Sequence, residues 1–263
     1  MKTDQGGPMK LLFSLTLCLF LLPLPCSASP LEDLDQAKNA IRKQDFTTAT
    51  NLLEPLTRDE LVRRDIRAQA FFYLSYCAPE DRQLHYAENA LRLSERTSEF
   101  YYRCAEILYR QKQPRQALQR LRDALTLIAA DSPGRAPYLK LTARCYWELQ
   151  DKANAAMNIS AAIAISPRDP ELYLLEGRIH SAEGTVHDGV AVESFKRALS
   201  LGLPPKDRVQ CYLFLGKLHE YARELDEAAL FYARAHEETE DILLQKKLKR
   251  KLQSFRMLKK WNS

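Results

Sequence analysis

A spaced trio of residues recurs along this chain and constrains its fold more than any other feature. Ala155, Ile159 and Ala162 stand four and three positions apart, small–large–small. The same order returns at Ala117, Leu121 and Ala124, at Ala191, Phe195 and Ala198, and at Ala228, Tyr232 and Ala235. Residues at these spacings share one face of an α-helix. A second, weaker element precedes each trio. Gly216 follows Leu215 and stands three before His219; Gly177 with His180 repeats this, Ala143 with Tyr146 matches it, and Ala105 with Leu108 is a looser copy. Small residues at such points let helix backbones approach to about 8–10 Å, while the large residue fills the adjacent hole.

These residues resemble the tetratricopeptide repeat (TPR), whose signature sets a small residue before an Ala–x3–aromatic motif at a period of 34. Six units can be framed, starting near Pro30, Arg64, Ser98, Ala136, Pro170 and Val209, with spacings of 34, 34, 38, 34 and 39. The longer spacings coincide with turn residues at Asp131–Gly134, Gly184–Gly189 and Pro204–Pro205. Units one (Ala37, Ala49, Leu53) and two (Phe71, Ala87, Ala90) are degenerate copies. The resemblance covers residues 30–240 and implies an all-α, right-handed superhelix of about six helix pairs. Its repeat core comprises Ala117, Ala124, Ala143, Ala155, Ala162, Gly177, Ala191, Phe195, Ala198, Gly216, Ala228, Tyr232 and Ala235. One helix pair cannot bury its apolar face alone, so such units stack around a shared core. Leu244, Leu248, Leu252, Phe255, Leu258 and Trp261 continue an apolar stripe through residues 242–263, which predicts a C-terminal capping helix after the solenoid of residues 29–241.

The N-terminus has a different character. Lys10 opens an apolar run from Leu11 to Leu22, broken by Pro23 and Pro25 and followed by Cys26-Ser27-Ala28. A basic start, a short apolar stretch and a small-residue site describe a secretory signal peptide over residues 1–28, cleaved after Ala28, with Met9 a more typical start than Met1. The run is shorter than the roughly 20 residues that span a bilayer as a helix. Export to the periplasm or the outer membrane of a bacterium is the expectation. A lipid on Cys26 is the rival, disfavoured because Pro25 stands where bacterial lipoproteins place a small residue. Loss of residues 1–28 leaves Cys77, Cys104, Cys145 and Cys211, with no C-x-x-C pair among them, so core packing is favoured over a zinc site.

Chemistry-bearing motifs are scarce. There is no Gly-rich phosphate loop, H-E-x-x-H or G-x-S-x-G, and no nucleophile with an evident base. His180 and His219 fall in equivalent slots without a neighbouring carboxylate or Cys at ligand spacing, and His85, His187 and His236 are isolated. Asn158-Ile159-Ser160 is a glycosylation sequon placed inside a predicted helix. The net charge of +5 is too small to indicate a nucleic-acid binder. No enzyme, cofactor or metal is expected.

The first helix of each unit in such solenoids faces the inner groove, which the resemblance implies is a protein- or peptide-binding surface. The residues after the small slots are then Lys38, Phe72, Glu106, Arg144, Arg178 and Lys217. Lys140, Leu213, Tyr76, Tyr102, Tyr109, Trp147 and Tyr221 lie one turn away. Arg beside aromatics is enriched at protein interfaces. Arg144, Arg178 and Lys217 in a row suit an extended segment bearing carboxylates. The Lys/Asn clamp of chaperone-binding members is absent, so that partner class does not carry over. A second surface competes with the groove. Lys246, Lys247, Lys249, Arg250, Lys251, Arg256, Lys259 and Lys260 accumulate without one acid after Asp241. Their +8 exceeds the net charge of the chain without residues 1–28, which is +4, so the remainder is near −4. The basic helix is read as a cap with a wet basic face, or as a tether to anionic membrane or envelope polymer.

Overall fold

The computed structural model describes residues 29–94, 96–181 and 189–262. The signal-peptide reading of residues 1–28, Cys26 and His187 all lie outside them.

The described residues form helices joined by short turns, with no strand among them. Six antiparallel pairs follow in chain order. They are α1 (Pro30–Arg42) with α2 (Phe46–Arg58), α3 (Arg64–Cys77) with α4 (Glu80–Leu93), and α5 (Ser98–Arg110) with α6 (Pro114–Thr126). Then come α7 (Ala136–Glu148) with α8 (Lys152–Ile165), α9 (Pro170–Ser181) with α10 (Gly189–Leu201), and α11 (Pro205–Tyr221) with α12 (Leu225–Glu238). Helix α13 (Ile242–Asn262) closes the stack.

Local chemistry sets the helix ends. Ser29 caps α1 in a reciprocal box, its hydroxyl accepting from the Glu32 N–H at 3.2 Å while the Glu32 carboxylate accepts from the Ser29 N–H at 2.9 Å. Asp45 and Asp151 cap α2 and α8 in the same sense. Within four pairs the turn has one form: Gln44, Lys112, Gln150 and Arg223 take φ near +60°, and the next N–H reaches back to a carbonyl five residues earlier. This Schellman closure satisfies carbonyls that the helix end leaves open. Between pairs, arginines serve. Arg64 donates to the Arg92 carbonyl at the end of α4, and Arg135 donates to the carbonyls of Leu125 (3.0 Å) and Ile128 (2.8 Å) after α6.

The core lies at the helix crossings, where side-chain sizes are matched in pairs. Ala37 faces Leu53, Ala105 shares a cluster with Leu121, and Ala143 with Ile159, all fully buried except for their mutual contacts. In the fifth and sixth pairs, where the large partner on the second helix is aromatic, the small one is Gly. A Cβ on Gly177 would come within 2.7 Å of the Phe195 ring, and one on Gly216 within 2.8 Å of the Tyr232 ring. In the second pair the order is inverted: Phe71 is the large residue, packed on a cluster that contains the fully buried Ala87. Unit two reads as degenerate because it exchanges sizes across the crossing rather than abandoning the rule.

The first helices of neighbouring pairs touch one another, α1 with α3, α5 with α7, α7 with α9 and α9 with α11, whereas the second helices do not approach comparably. A stack that is tighter along one side curves toward it, so the odd-numbered helices line the inner face. At the C-terminal end Leu248 and Phe255 are buried against α11 and α12, with Leu244 and Leu252 packed beside them. This is the expected cap, with one correction: Leu258 is 49% exposed, because the stripe has rotated off the last pair by that turn. The Trp261 side chain lies outside the description.

The crossings generate a prediction. Ala in place of Gly in a helix gains about 0.8–1 kcal/mol of propensity, but forcing a methyl against a rigid ring costs about 1–3 kcal/mol. Three ring atoms lie within 2.9 Å at Gly177, so the clash wins. Gly177→Ala and Gly216→Ala are each expected to lose about 1 kcal/mol in denaturant unfolding. Gly189→Ala, which meets nothing within 4 Å, is expected to lose nothing.

Candidate interaction groove

Aromatic residues cluster from α3 to α7: Phe100 and Tyr138 are buried, Phe72 and Tyr102 half-buried, and Tyr76 exposed. The rings of Phe72 and Phe100 are 4.9 Å apart, those of Phe72 and Tyr76 5.3 Å, and those of Tyr102 and Tyr138 4.7 Å. Phe72 and Tyr76 share one face of α3, whereas Phe100 and Tyr102, two residues apart on α5, point to different sides, Phe100 into the core against Phe72 and Tyr102 against Tyr138. Burial pushes the Tyr102 phenol up to about 12. It also raises Tyr109, which Glu148 raises further and the guanidinium groups of Arg144 and Arg178 pull back. Tyr102 and Tyr109 stand on α5, Arg144 on α7 and Arg178 on α9, the first helices of three successive pairs.

The remaining groove candidates are placed differently. Lys140 is only 19% exposed and donates to Asp169 at 3.2 Å and to Glu171 at 3.0 Å. Glu171 also lies 3.8 Å from Arg144. These acids sit at the start of α9, so of the expected row Arg144, Arg178 and Lys217 the first faces an acid within the fold. Trp147 leans into the cluster built on Ala143 and Ile159 rather than standing free. Arg178 is exposed and has no acid partner among the described residues. Lys217 is also exposed, with its ammonium 5.5 Å above the ring of Tyr221, itself 58% exposed. These two line a separate cleft of about 700 Å³ between α11 and α13, together with Arg223 and Lys247.

Arg103 is the residue that sequence reasoning missed. It is buried, yet donates to the Ser75 hydroxyl at 3.0 Å and the Ser75 carbonyl at 2.6 Å, pairs with Glu106 at 2.6 Å, and lies 3.7 Å under the Tyr76 ring. It ties α3 to α5 and orders the aromatic cluster. The signal was available: Arg103 falls three residues after Phe100 and four before Ile107, on the stripe that points inward, and a charge there needs partners. Glu106, expected as a free groove acid, is its counter-ion.

The sites that invited chemistry are occupied by packing. Cys77, Cys104, Cys145 and Cys211 are free thiols, and burial pushes Cys77 up to about 11 and the other three to about 12. Such thiols are poor nucleophiles at neutral pH. His219 does have a carboxylate, contrary to the sequence reading: its Nδ1 is 2.5 Å from Glu224, across the turn from α11 to α12, and its ring stacks on Phe231. Asn158 lies within α8 and donates to the Asn154 carbonyl at 2.8 Å. Among the described residues no three His, Cys, Asp or Glu converge on one point, and no helix is long and apolar enough to cross a membrane.

No protein-family model matches the chain, and no curated protein matches it. Solved structures do. PilF of Pseudomonas aeruginosa is 14% identical with a TM-score of 0.67, over 84% of this chain and 97% of that one. PilW, a widely conserved type IV pilus biogenesis factor, is 19% identical with a TM-score of 0.66, over 83% and 98%. YrrB, a TPR protein with an unusual peptide-binding site, is 15% identical with a TM-score of 0.57, over 75% and 99%. At these identities the likeness shows the fold, an all-α right-handed TPR superhelix.

Proposed function

We propose that the chain is a non-enzymatic scaffold of the bacterial envelope whose inner face holds an extended segment of a protein partner. One observation carries the reading. Tyr102, Tyr109, Arg144 and Arg178 stand on the first helices of three successive pairs, and Arg178 is exposed with no acid partner among the described residues, whereas Lys140 and Arg144 face Glu171. Half-buried aromatics give a ligand apolar contact at low entropic cost, and an unmatched guanidinium selects a carboxylate bidentately. The partner is therefore a segment with acidic residues, recognised near Arg178. Lys140 supports Arg144 and Glu171 rather than touching the ligand. That YrrB is a peptide binder and PilW a pilus biogenesis factor on the same solenoid supports the class and the compartment. The leader-like residues 1–28 support export, and cleavage after Ala28 would leave Ser29, the α1 cap, as the first residue.

The test is positional. A photo-crosslinker at Tyr109 is expected to capture a discrete partner in cells, while one at Met157, exposed on the outer helix α8, captures none. Arg178→Glu is expected to weaken that same capture by roughly 30-fold or more, since losing a desolvated charge contact and adding repulsion costs about 2–5 kcal/mol. Equal capture from both positions, or an Arg178→Glu protein that binds normally, contradicts the groove. Mass spectrometry of the protein from its native host is expected to find Ser29 as the first residue. An acylated Cys26 contradicts a free, exported form.

A further inference from the structure

The groove leaves one large feature unused, the outer face of α13. The helix turns Leu248 and Phe255 inward, and Lys251 follows them, its ammonium 2.7 Å from Glu220 and 4.9 Å from the Tyr232 ring centre. The described basic side chains on the opposite side are free of such ties. Lys246, Lys249 and Arg250, at helical spacing, are exposed, with Lys247 and Arg256 on the flanks, and none has an acid partner among the described residues. The same face also exposes apolar side chains at both ends: Ile242 is 65% and Leu243 77% exposed in the first turn, and Met257 is 69% exposed near the last.

We infer that this face docks the protein on an anionic lipid surface, with α13 lying flat and its two apolar ends entering the headgroup layer. Three considerations select the occupant. The patch is the side of a straight helix, with its cations spread over about 15 Å from Lys246 to Arg256, so it offers a plane rather than a groove to its partner. An acidic polypeptide would match the lysines but leave Ile242, Leu243 and Met257 in water; a lipid interface satisfies both. Finally, the +8 of residues 242–263 stands against a remainder near −4, so the field of an anionic surface turns this end of the solenoid toward it. The inference is independent of the groove: a protein docked through α13 keeps its inner face open whether or not that face binds anything.

The test uses the purified protein and vesicles of phosphatidylcholine with about one-fifth phosphatidylglycerol, a composition of moderate negative surface potential. Binding is expected at about 0.1 M salt, and release at about 1 M, as the screening length falls from about 10 Å to about 3 Å. Each Lys or Arg near such a surface contributes about five-fold in affinity. Lys246→Gln with Lys249→Gln and Arg250→Gln should therefore lower partitioning roughly 100-fold. Ile242→Ser with Met257→Ser should lower it several-fold on vesicles and leave binding to soluble polyglutamate unchanged. All five side chains are exposed, and unchanged melting of both variants confirms that folding is intact. Failure to bind the vesicles, binding that the triple variant retains, or polyglutamate bound more tightly than vesicles would each overturn the inference.

Discussion

Helix crossings matched in size are the constraint on which the rest of this structure depends. The large and small partners are 16 residues apart in five of the six pairs, from Ala37 and Leu53 to Gly216 and Tyr232. The fifth pair, Gly177 and Phe195, spans 18 because its connection is longer. Ala meets an aliphatic residue, Gly meets an aromatic ring, and Phe71 meets Ala87 with the sizes reversed. In the five pairs other than the second, the rule keeps the summed volume of the two partners nearly constant, the quantity to which close-packed interiors are sensitive. Each pair thereby keeps a similar thickness, and similar units can stack with a steady rotation.

Curvature follows, and curvature makes the groove. Along the inner side aromatic residues of neighbouring first helices are brought ring to ring, Phe72 of α3 against Phe100 of α5 and Tyr102 of α5 against Tyr138 of α7. The same crowding forces buried polar groups to find partners. Arg103 satisfies Ser75 and Glu106, and Lys140 satisfies Asp169 and Glu171. What is left after this internal matching defines the candidate contact: Arg178 on the inner face, and the unmatched lysines and arginine of α13 at the end.

The fold was legible in the sequence because a helix crossing demands small residues at fixed intervals, and a periodic demand leaves a periodic trace. The inverted second pair was harder to see, since a pattern that looks for Ala at one slot finds Phe71 there. The groove was legible only in part. Facing residues follow from helical spacing, but their electrostatic partners belong to neighbouring units. Glu171, which matches Lys140 and Arg144, is 31 residues beyond the first and 27 beyond the second. No local spacing identifies it, because the contact depends on how α7 and α9 are rotated against each other. Glu224 beside His219 was missed for a related reason, as the αL residue Arg223 folds the chain back on itself. Leu258 continued the apolar stripe on paper but is 49% exposed, since the stripe has rotated off the last pair by that turn.

The central claim is that paired volume, rather than the identity of either partner, builds the stack. A double-mutant cycle at the fifth pair tests it most directly. Gly177→Ala crowds the ring and Phe195→Leu leaves a void, so each change alone destabilises. Together they recreate the Ala–Leu crossing of the first and third pairs. The account predicts a favourable coupling of about 1–2 kcal/mol between the two changes, measured as denaturant unfolding free energies. Losses that simply add would contradict it.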